Sequence, residues 1–162
     1  ARWRQQLMIK VLLSDFSDVL LFTRVSSYNG SLNALHARQA IKPNYLFFDY
    51  FALNQELLEF YQEVKEKNQL KIVMYTSGLV QETPELKQYL DPIFDQVFSA
   101  GKVDKPKHER ESYVWLAKEL AVKTDEILFI DDSELNSEAA GQAGVHAVQY
   151  ISNEQVMKEV TK

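Results

Sequence analysis

Apolar and polar positions along the chain fall into two alternating rhythms. Short, nearly continuous apolar runs recur in "MIKVLLSD", "LKIVMYTSG", "DQVFSA", "EILFIDD" and "VHAVQY". Runs of that length predict strands covered on both faces. Between them lie stretches with helical spacing. In "LNQELLEFYQEVKEKN", Leu53, Leu57, Leu58, Tyr61 and Val64 form one stripe with charges opposite, which predicts an amphipathic helix. "TPELKQYL" predicts a short helix with Thr83 as cap and Pro84 at its first position. "ERESYVWLAKEL" predicts another, with Trp115 on its apolar face. "SELNSEAAGQAG" opens on Ser133 as N-cap and ends near Gly144, and "SNEQVMKEVTK" opens on Ser152. Strands alternating with helices predict an α/β domain with a parallel sheet.

In such sheets ligands bind beyond the carboxyl ends of the strands. The first strand ends at Asp15, the second at Thr76 and Ser77, and the fourth at Asp131 and Asp132. Three polar clusters far apart in sequence are therefore expected to meet at one edge. The stretch 23–52 breaks the alternation. It carries Asn29-Gly30, Pro43 and the aromatic run "NYLFFDYF", and it predicts a small lid or helical insertion whose aromatics form a local core.

Length and composition narrow the picture. At 162 residues the chain is sized for one domain, 1–162. A net charge of −5 argues against a nucleic-acid partner. No apolar run approaches a membrane span. With no cysteine there is neither a disulfide nor thiol chemistry, which fits a reducing, cytoplasmic setting. Met8 is a candidate native start, with residues 1–7 as extra sequence or an ordinary N-terminus. His36, His108 and His146 show no metal-ligand spacing.

Taken singly, Asp15 and Asp18 read as turn residues, and Asp131-Asp132-Ser133 as a helix cap. Together they suggest chemistry. A carboxylate can attack phosphorus to give an acyl phosphate, and it then needs a cation to offset the phosphate charge. Asp15 is the candidate nucleophile. Asp131 and Asp132 are candidate ligands for Mg²⁺, a hard ion that favours a few carboxylates. The Thr76 hydroxyl and a lysine of "KVDKPK" are candidates for holding the remaining phosphate oxygens.

These residues resemble the haloacid dehalogenase-like (HAD) superfamily. "DFSDVL" resembles its first motif, with Asp15 as nucleophile. "IVMYTSG" supplies the Ser/Thr of the second motif at Thr76, and Lys105-Pro106 the lysine of the third. "ILFIDDSELNSEAAGQAGVHAVQY" resembles the fourth, including Asn136. The likeness spans about 9–150. It implies a Rossmannoid three-layer fold with strand order 5-4-1-2-3, and a minimal cap insertion at 23–52. It also implies a Mg²⁺-dependent phosphatase or phosphotransferase forming an aspartyl-phosphate at Asp15. Asp15, Ser17 (through its backbone carbonyl), Asp131 and Asp132 would surround the metal, and Thr76 and Lys105 would hold phosphate.

Two departures from the pattern stand out. The superfamily's second aspartate, the acid/base of its phosphatases, is Ser17 here, and Asp18 stands where glycine is usual. A serine is no carboxylic acid, and general acid–base help is worth about 10²–10⁴-fold. A catalytically weak or inactive binding protein of the same fold is therefore the second reading. The third motif is also about two residues farther from Tyr113 than the resemblance implies, which makes Lys107 the alternative to Lys105. The partner is a small phosphorylated substrate or, by analogy with open-sited relatives, a protein. Carbon–halogen cleavage is a third reading, for which Arg24 and the aromatics of 45–51 would be the expected pocket.

Overall fold

The computed structural model describes residues 8–161; the reading of residues 1–7 as extra sequence lies outside them. In chain order the elements are β1 (Val11–Ser14), β2 (Leu21–Thr23), α1 (Leu32–Ala40), α2 (Phe47–Tyr50), β3 (Phe51–Leu53), α3 (Gln55–Asn68) and β4 (Lys71–Thr76). Then follow α4 (Lys87–Leu90), β5 (Gln96–Ser99), α5 (Ala100–Val103), α6 (Arg110–Glu119), β6 (Ile127–Asp131), α7 (Glu134–Gln142), β7 (His146–Gln149) and α8 (Asn153–Thr161).

Five strands form one parallel sheet in the order β5-β4-β1-β6-β7. Counting only these five from the other edge gives 5-4-1-2-3, the expected order. The sheet is apolar on both faces because alternate residues serve opposite layers. Leu12, Ile72, Met74 and Ile130 pack into one core, with Leu57, Tyr61 and Val64 of α3 and Val156 and Val160 of α8. Leu13, Val73, Tyr75 and Phe129 pack into the other, with Tyr113 and Leu116 of α6 and Ala140 of α7. Burying each such leucine or valine contributes about 1.5–3 kcal/mol. The three layers follow directly from that alternation.

The sequence pattern does not show a second, two-stranded antiparallel sheet, β2–β3. Its strands are three residues each, too short for an alternation to be read. Leu53 belongs to β3 and not to the following helix. Asn54 ends the hairpin and caps α3, accepting from the Leu57 N–H. Thr83 also differs from expectation. Its hydroxyl donates to the Val80 carbonyl rather than capping, and Pro84–Leu86 is a 3₁₀ turn ahead of α4. Ser133 and Ser152 do cap, accepting from the N–H groups of Asn136 and Gln155.

The residues between β2 and β3 fold around their aromatics. Phe47 stacks on Phe51 at 4.7 Å between ring centroids, and Tyr45 lies 5.4 Å from Tyr50. These rings join the core that lies under α3. No helix among the described residues is long and apolar enough to cross a membrane.

Helix α6 ends on a left-handed residue that is not glycine. Ala121 has φ 56°, while Ala121 N–H donates to Lys118 and Val122 N–H to Ala117. A side chain in that conformation costs about 1–2 kcal/mol, and glycine is the residue that normally occupies it. Part of the gain is lost to glycine's freer unfolded state. Ala121→Gly is expected to stabilise the fold by about 0.5–1 kcal/mol, read as a rise in the urea midpoint.

Candidate active site

The sheet register brings the predicted acids together. Leu13 of β1 pairs with Phe129 of β6, and Ser14 with Ile130. One step on, Asp15 stands level with Asp131, and its N–H donates to the Ile130 carbonyl at 2.8 Å. Asp132 follows Asp131. On the other side of β1, β4 ends at Thr76. The chain after Asp15 turns sharply. The N–H groups of Val19, Leu20 and Leu21 all converge on the Phe16 carbonyl, and the Asp18 N–H donates to the Leu21 carbonyl. Phe16, Val19, Leu20 and Leu21 are fully buried, so the turn carrying Ser17 and Asp18 is anchored on both sides. Asp18 takes φ 64°, a conformation that aspartate and asparagine tolerate better than other side chains with a Cβ.

A cavity of about 210 Å³ opens at this edge, with Asp15, Ser17, Thr76, Lys107, Asp131 and Asp132 among its lining residues. Asp15 and Asp131 are buried. Asp15 Oδ1 accepts from the Phe16 N–H at 2.8 Å and from Lys107 Nζ at 2.6 Å. Asp131 Oδ1 accepts from the Ser133 N–H, while Oδ2 accepts from Asn136 Nδ2 at 3.2 Å and meets Lys107 Nζ at 2.7 Å. The fourth-motif asparagine therefore orients Asp131. The Thr76 hydroxyl is fully buried and has no hydrogen-bond partner, and the Ser17 hydroxyl is likewise unpartnered. A buried hydroxyl without a partner is costly unless a ligand completes it.

Lys107, not Lys105, enters the cavity. Lys105 turns away, its ammonium 5.6 Å above the Trp115 ring. Three consecutive carbonyls fix this choice. Tyr75 OH donates to Lys105 O, Ser112 Oγ to Pro106 O at 2.6 Å, and Tyr113 OH to Lys107 O at 2.6 Å. With the loop held this way, Lys107 runs inward between the rings of Tyr75 and Phe129, 5.7 and 5.9 Å from their centroids. It is only 5% exposed. The two-residue excess before Tyr113 was the sequence signal for this lysine. The proline after Lys105 pointed the wrong way.

Burial raises Asp15 well above the ordinary carboxylate range, although the Lys107 charge opposes it, with Asp131 adding to the rise. Burial also raises Asp132, next to the negative Asp131 and Asp18. For Lys107, burial works against the ammonium, but the carboxylates of Asp15 and Asp131 outweigh it and hold its pKa above the ordinary value. The site thus holds more negative charge than one ammonium satisfies. Single carboxylate oxygens of Asp15, Asp131 and Asp132 lie within 4.8 Å of one another. This all-oxygen, electron-rich set fits a hard divalent cation.

The insertion contributes to the same cavity through Ser31, Leu32 and Asn33 at the start of α1. Asn33 Oδ1 accepts from the N–H groups of both Leu79 and Val80, at 3.0 and 2.9 Å, in the loop after Thr76. Gly78 makes this approach possible, since a Cβ there would lie 2.5 Å from the Asn33 side chain. Gly78→Ala is expected to displace Asn33 and break both bonds. The loss is about 1 kcal/mol, because Leu79 is half exposed and water partly replaces the carboxamide. Thermal unfolding checks it. Arg24 is not at the cavity: its Nε donates to the Phe48 and Phe51 carbonyls. The aromatics of 45–51 do not line it either.

The model of the haloacid dehalogenase-like hydrolase family matches residues 25–144. The chain belongs to that family. Family membership thus rests on a stretch beginning after the strand that carries Asp15, while the geometry adds Asp15 to Thr76, Lys107 and the acidic pair. Enolase-phosphatase E1 of Serratia proteamaculans (strain 568) is 34% identical over 88 residues, which are 52% of this chain and 38% of that relative's length. Among solved structures, a HAD family enzyme of Bacteroides thetaiotaomicron in its magnesium complex superposes with a TM-score of 0.68. It is 15% identical, over 95% of this chain and 99% of that one. A HAD-superfamily hydrolase of subfamily IA from Geobacter sulfurreducens gives 0.66 and 17% identity, over 95% and 97%. The same Bacteroides enzyme in complex with magnesium and inorganic phosphate gives 0.64 and 14%, over 90% and 96%. At these identities the HAD likeness of the solved structures speaks for the fold.

Proposed function

We propose that this HAD-like hydrolase is a Mg²⁺-dependent phosphatase or phosphotransferase that works through an aspartyl-phosphate on Asp15. The observation that carries this reading is the environment of Asp15. Its Oδ1 is engaged by Phe16 N–H and Lys107, which leaves Oδ2 as the nucleophilic oxygen, and the unpartnered Thr76 hydroxyl lines the same cavity. The phosphatase name of the Serratia relative, and the magnesium and phosphate of the Bacteroides enzyme, support the same chemistry.

Bound Mg²⁺ would offset the charge of the carboxylates and the phosphate, with Asp15, Asp132 and the Ser17 carbonyl as ligands and Asp131 supporting them. Asp15 attacks phosphorus in line with the departing alcohol. Thr76 and Lys107 hold the non-transferred oxygens, and Lys107 also favours the ionised form of Asp15 and orients it. The anhydride on Asp15 then gives its phosphoryl group to water or to a second acceptor, which frees the carboxylate. Ser17 offers no carboxylic proton to the leaving oxygen, which takes its proton from water instead, so alcohols that leave poorly react slowly. Residues 23–52 act as a small lid, with the start of α1 as one wall, and Asn33 ties that wall to the loop after Thr76. We place the protein in the cytoplasm.

The replacement of the acid by Ser17 also favours a second reading, a binding protein with little turnover. Turnover of an aryl phosphate with and without Mg²⁺ separates the two. We expect Mg²⁺-dependent release of phosphate, reduced at least about 10³-fold in Asp15→Asn. Silence in both conditions, with no phosphate binding by calorimetry, would overturn the enzymatic reading. Carbon–halogen cleavage loses its support from this chain, because Arg24 is committed to backbone carbonyls away from the cavity.

A further inference from the structure

Besides the residues already described around Asp15, the cavity is lined by Asp18, Ser31, Leu32, Asn33 and Ser77, with no arginine, lysine or aromatic ring among them. Asp18 is exposed at the rim. Four carboxylates line the cavity, those of Asp15, Asp18, Asp131 and Asp132, against the single ammonium of Lys107. Fully ionised, the four would exceed the charge of Lys107 and a divalent cation together by one. Asp18 is the one of the four that neither pairs with Lys107 nor belongs to the triad of acids. The unpartnered, fully buried Thr76 hydroxyl marks where the phosphate is received, so the alcohol half of a substrate must extend toward the rim.

We infer that Asp18 is a specificity-determining residue. It selects small phosphate monoesters whose alcohol half carries no negative charge, and it favours those whose alcohol half is cationic. The inference rests on the phosphoryl-transfer reading and names its substrate class. Size follows from the cavity: about 210 Å³ takes a phosphate and a few further heavy atoms. Charge follows from Asp18. A carboxylate or second phosphate on the alcohol would be placed against a like charge with no cationic side chain to receive it. The start of α1 offers a positive helix end at the same cavity, but that amounts to about half a charge. Ser31 already caps it, accepting from Ala34 N–H. A full negative charge on Asp18 outweighs that.

Three two-carbon esters that differ by at most one heavy atom test this: 2-aminoethyl phosphate, 2-hydroxyethyl phosphate and phosphoglycolate. With Mg²⁺, the expected order of kcat/KM is aminoethyl, then hydroxyethyl, then phosphoglycolate. Phosphoglycolate should trail hydroxyethyl phosphate by about ten-fold or more, expressed in KM. Raising the salt should narrow the spread, because Asp18 lies at the solvent edge. Asn tolerates the left-handed backbone of Asp18 as well as Asp does, so Asp18→Asn keeps the turn. It should raise phosphoglycolate relative to hydroxyethyl phosphate by about five- to ten-fold. Calorimetry with Asp15→Asn, which cannot turn the esters over, reads the same preference as binding. If no ester is turned over but aminoethyl phosphate binds best, phosphoryl transfer fails and Asp18 still selects by charge. Equal affinity for all three, binding of none, or preference for phosphoglycolate would overturn the inference.

Discussion

Lys107→Met is expected to lower turnover by about 10³-fold and to destabilise the fold by about 3 kcal/mol, whereas Lys105→Met should leave both nearly unchanged. Lys107 is buried, and its ammonium lies 2.6 Å from Asp15 and 2.7 Å from Asp131. Removing one partner of a buried ion pair leaves an uncompensated charge and costs about 3–5 kcal/mol. The lower end applies because Asp15, already raised by burial, can take up a proton when its counter-charge is removed. The sign then follows by linkage. A carboxylate whose folded pKa lies above its unfolded value destabilises the fold when pH exceeds the folded value, and the cost fades as pH falls through it. The stability gap between Lys107→Met and the parent chain should therefore be widest at neutral pH and narrow on acidification. Urea unfolding at several pH values reads this. Saturating Mg²⁺ should return part of the stability, since the ion supplies the positive charge the variant lacks, but not the activity. A Lys105→Met chain with the larger loss would overturn the assignment of the lysine.

The contrast between these two lysines shows where sequence reading reaches its limit. The strands were legible because burial on both faces writes an unbroken apolar run. The acids at their ends were legible because a parallel sheet delivers its strand ends to one edge. Asp15, Thr76, Asp131 and Asp132 all lie on such ends, and β-register alone sets Asp15 level with Asp131. Lys107 lies on a loop, where no period applies. Its direction depends on hydroxyls from β4 and α6 gripping three consecutive carbonyls, one of them thirty positions away and two of them six. The β2–β3 hairpin was hidden for another reason. Three-residue strands carry too few positions for an alternation, and Leu53 also fits the helical stripe of α3. The docking of Asn33 against Gly78 leaves no mark in local pattern. A glycine outside the left-handed region reads as an ordinary turn residue until its neighbour is known.

Ser17→Asp is expected to have the largest effect in the opposite direction, and its size should depend on the leaving group. Ser17 lines the cavity with Asp15, and its hydroxyl is buried with no partner, so the position stands at the candidate site without supplying an acid. A carboxyl group at that point can protonate the departing oxygen, help worth about 10²–10⁴-fold. The benefit is greatest for an alkyl ester, whose alkoxide leaves poorly, and small for an aryl ester, whose phenoxide needs little proton donation. In its ionised form the added group is also a fifth carboxylate in a cavity lined by four, which should raise KM for a phosphate dianion several-fold. Since proton donation is worth more than that repulsion, kcat/KM for 2-hydroxyethyl phosphate should still rise by about ten-fold or more. For an aryl phosphate it should stay level or fall. A steady-state comparison of the two esters on parent and variant decides the matter. Equal gains for both would mean that Ser17 affects the site by some route other than the missing proton. A loss for both would mean that charge, not acid–base chemistry, governs what this position tolerates.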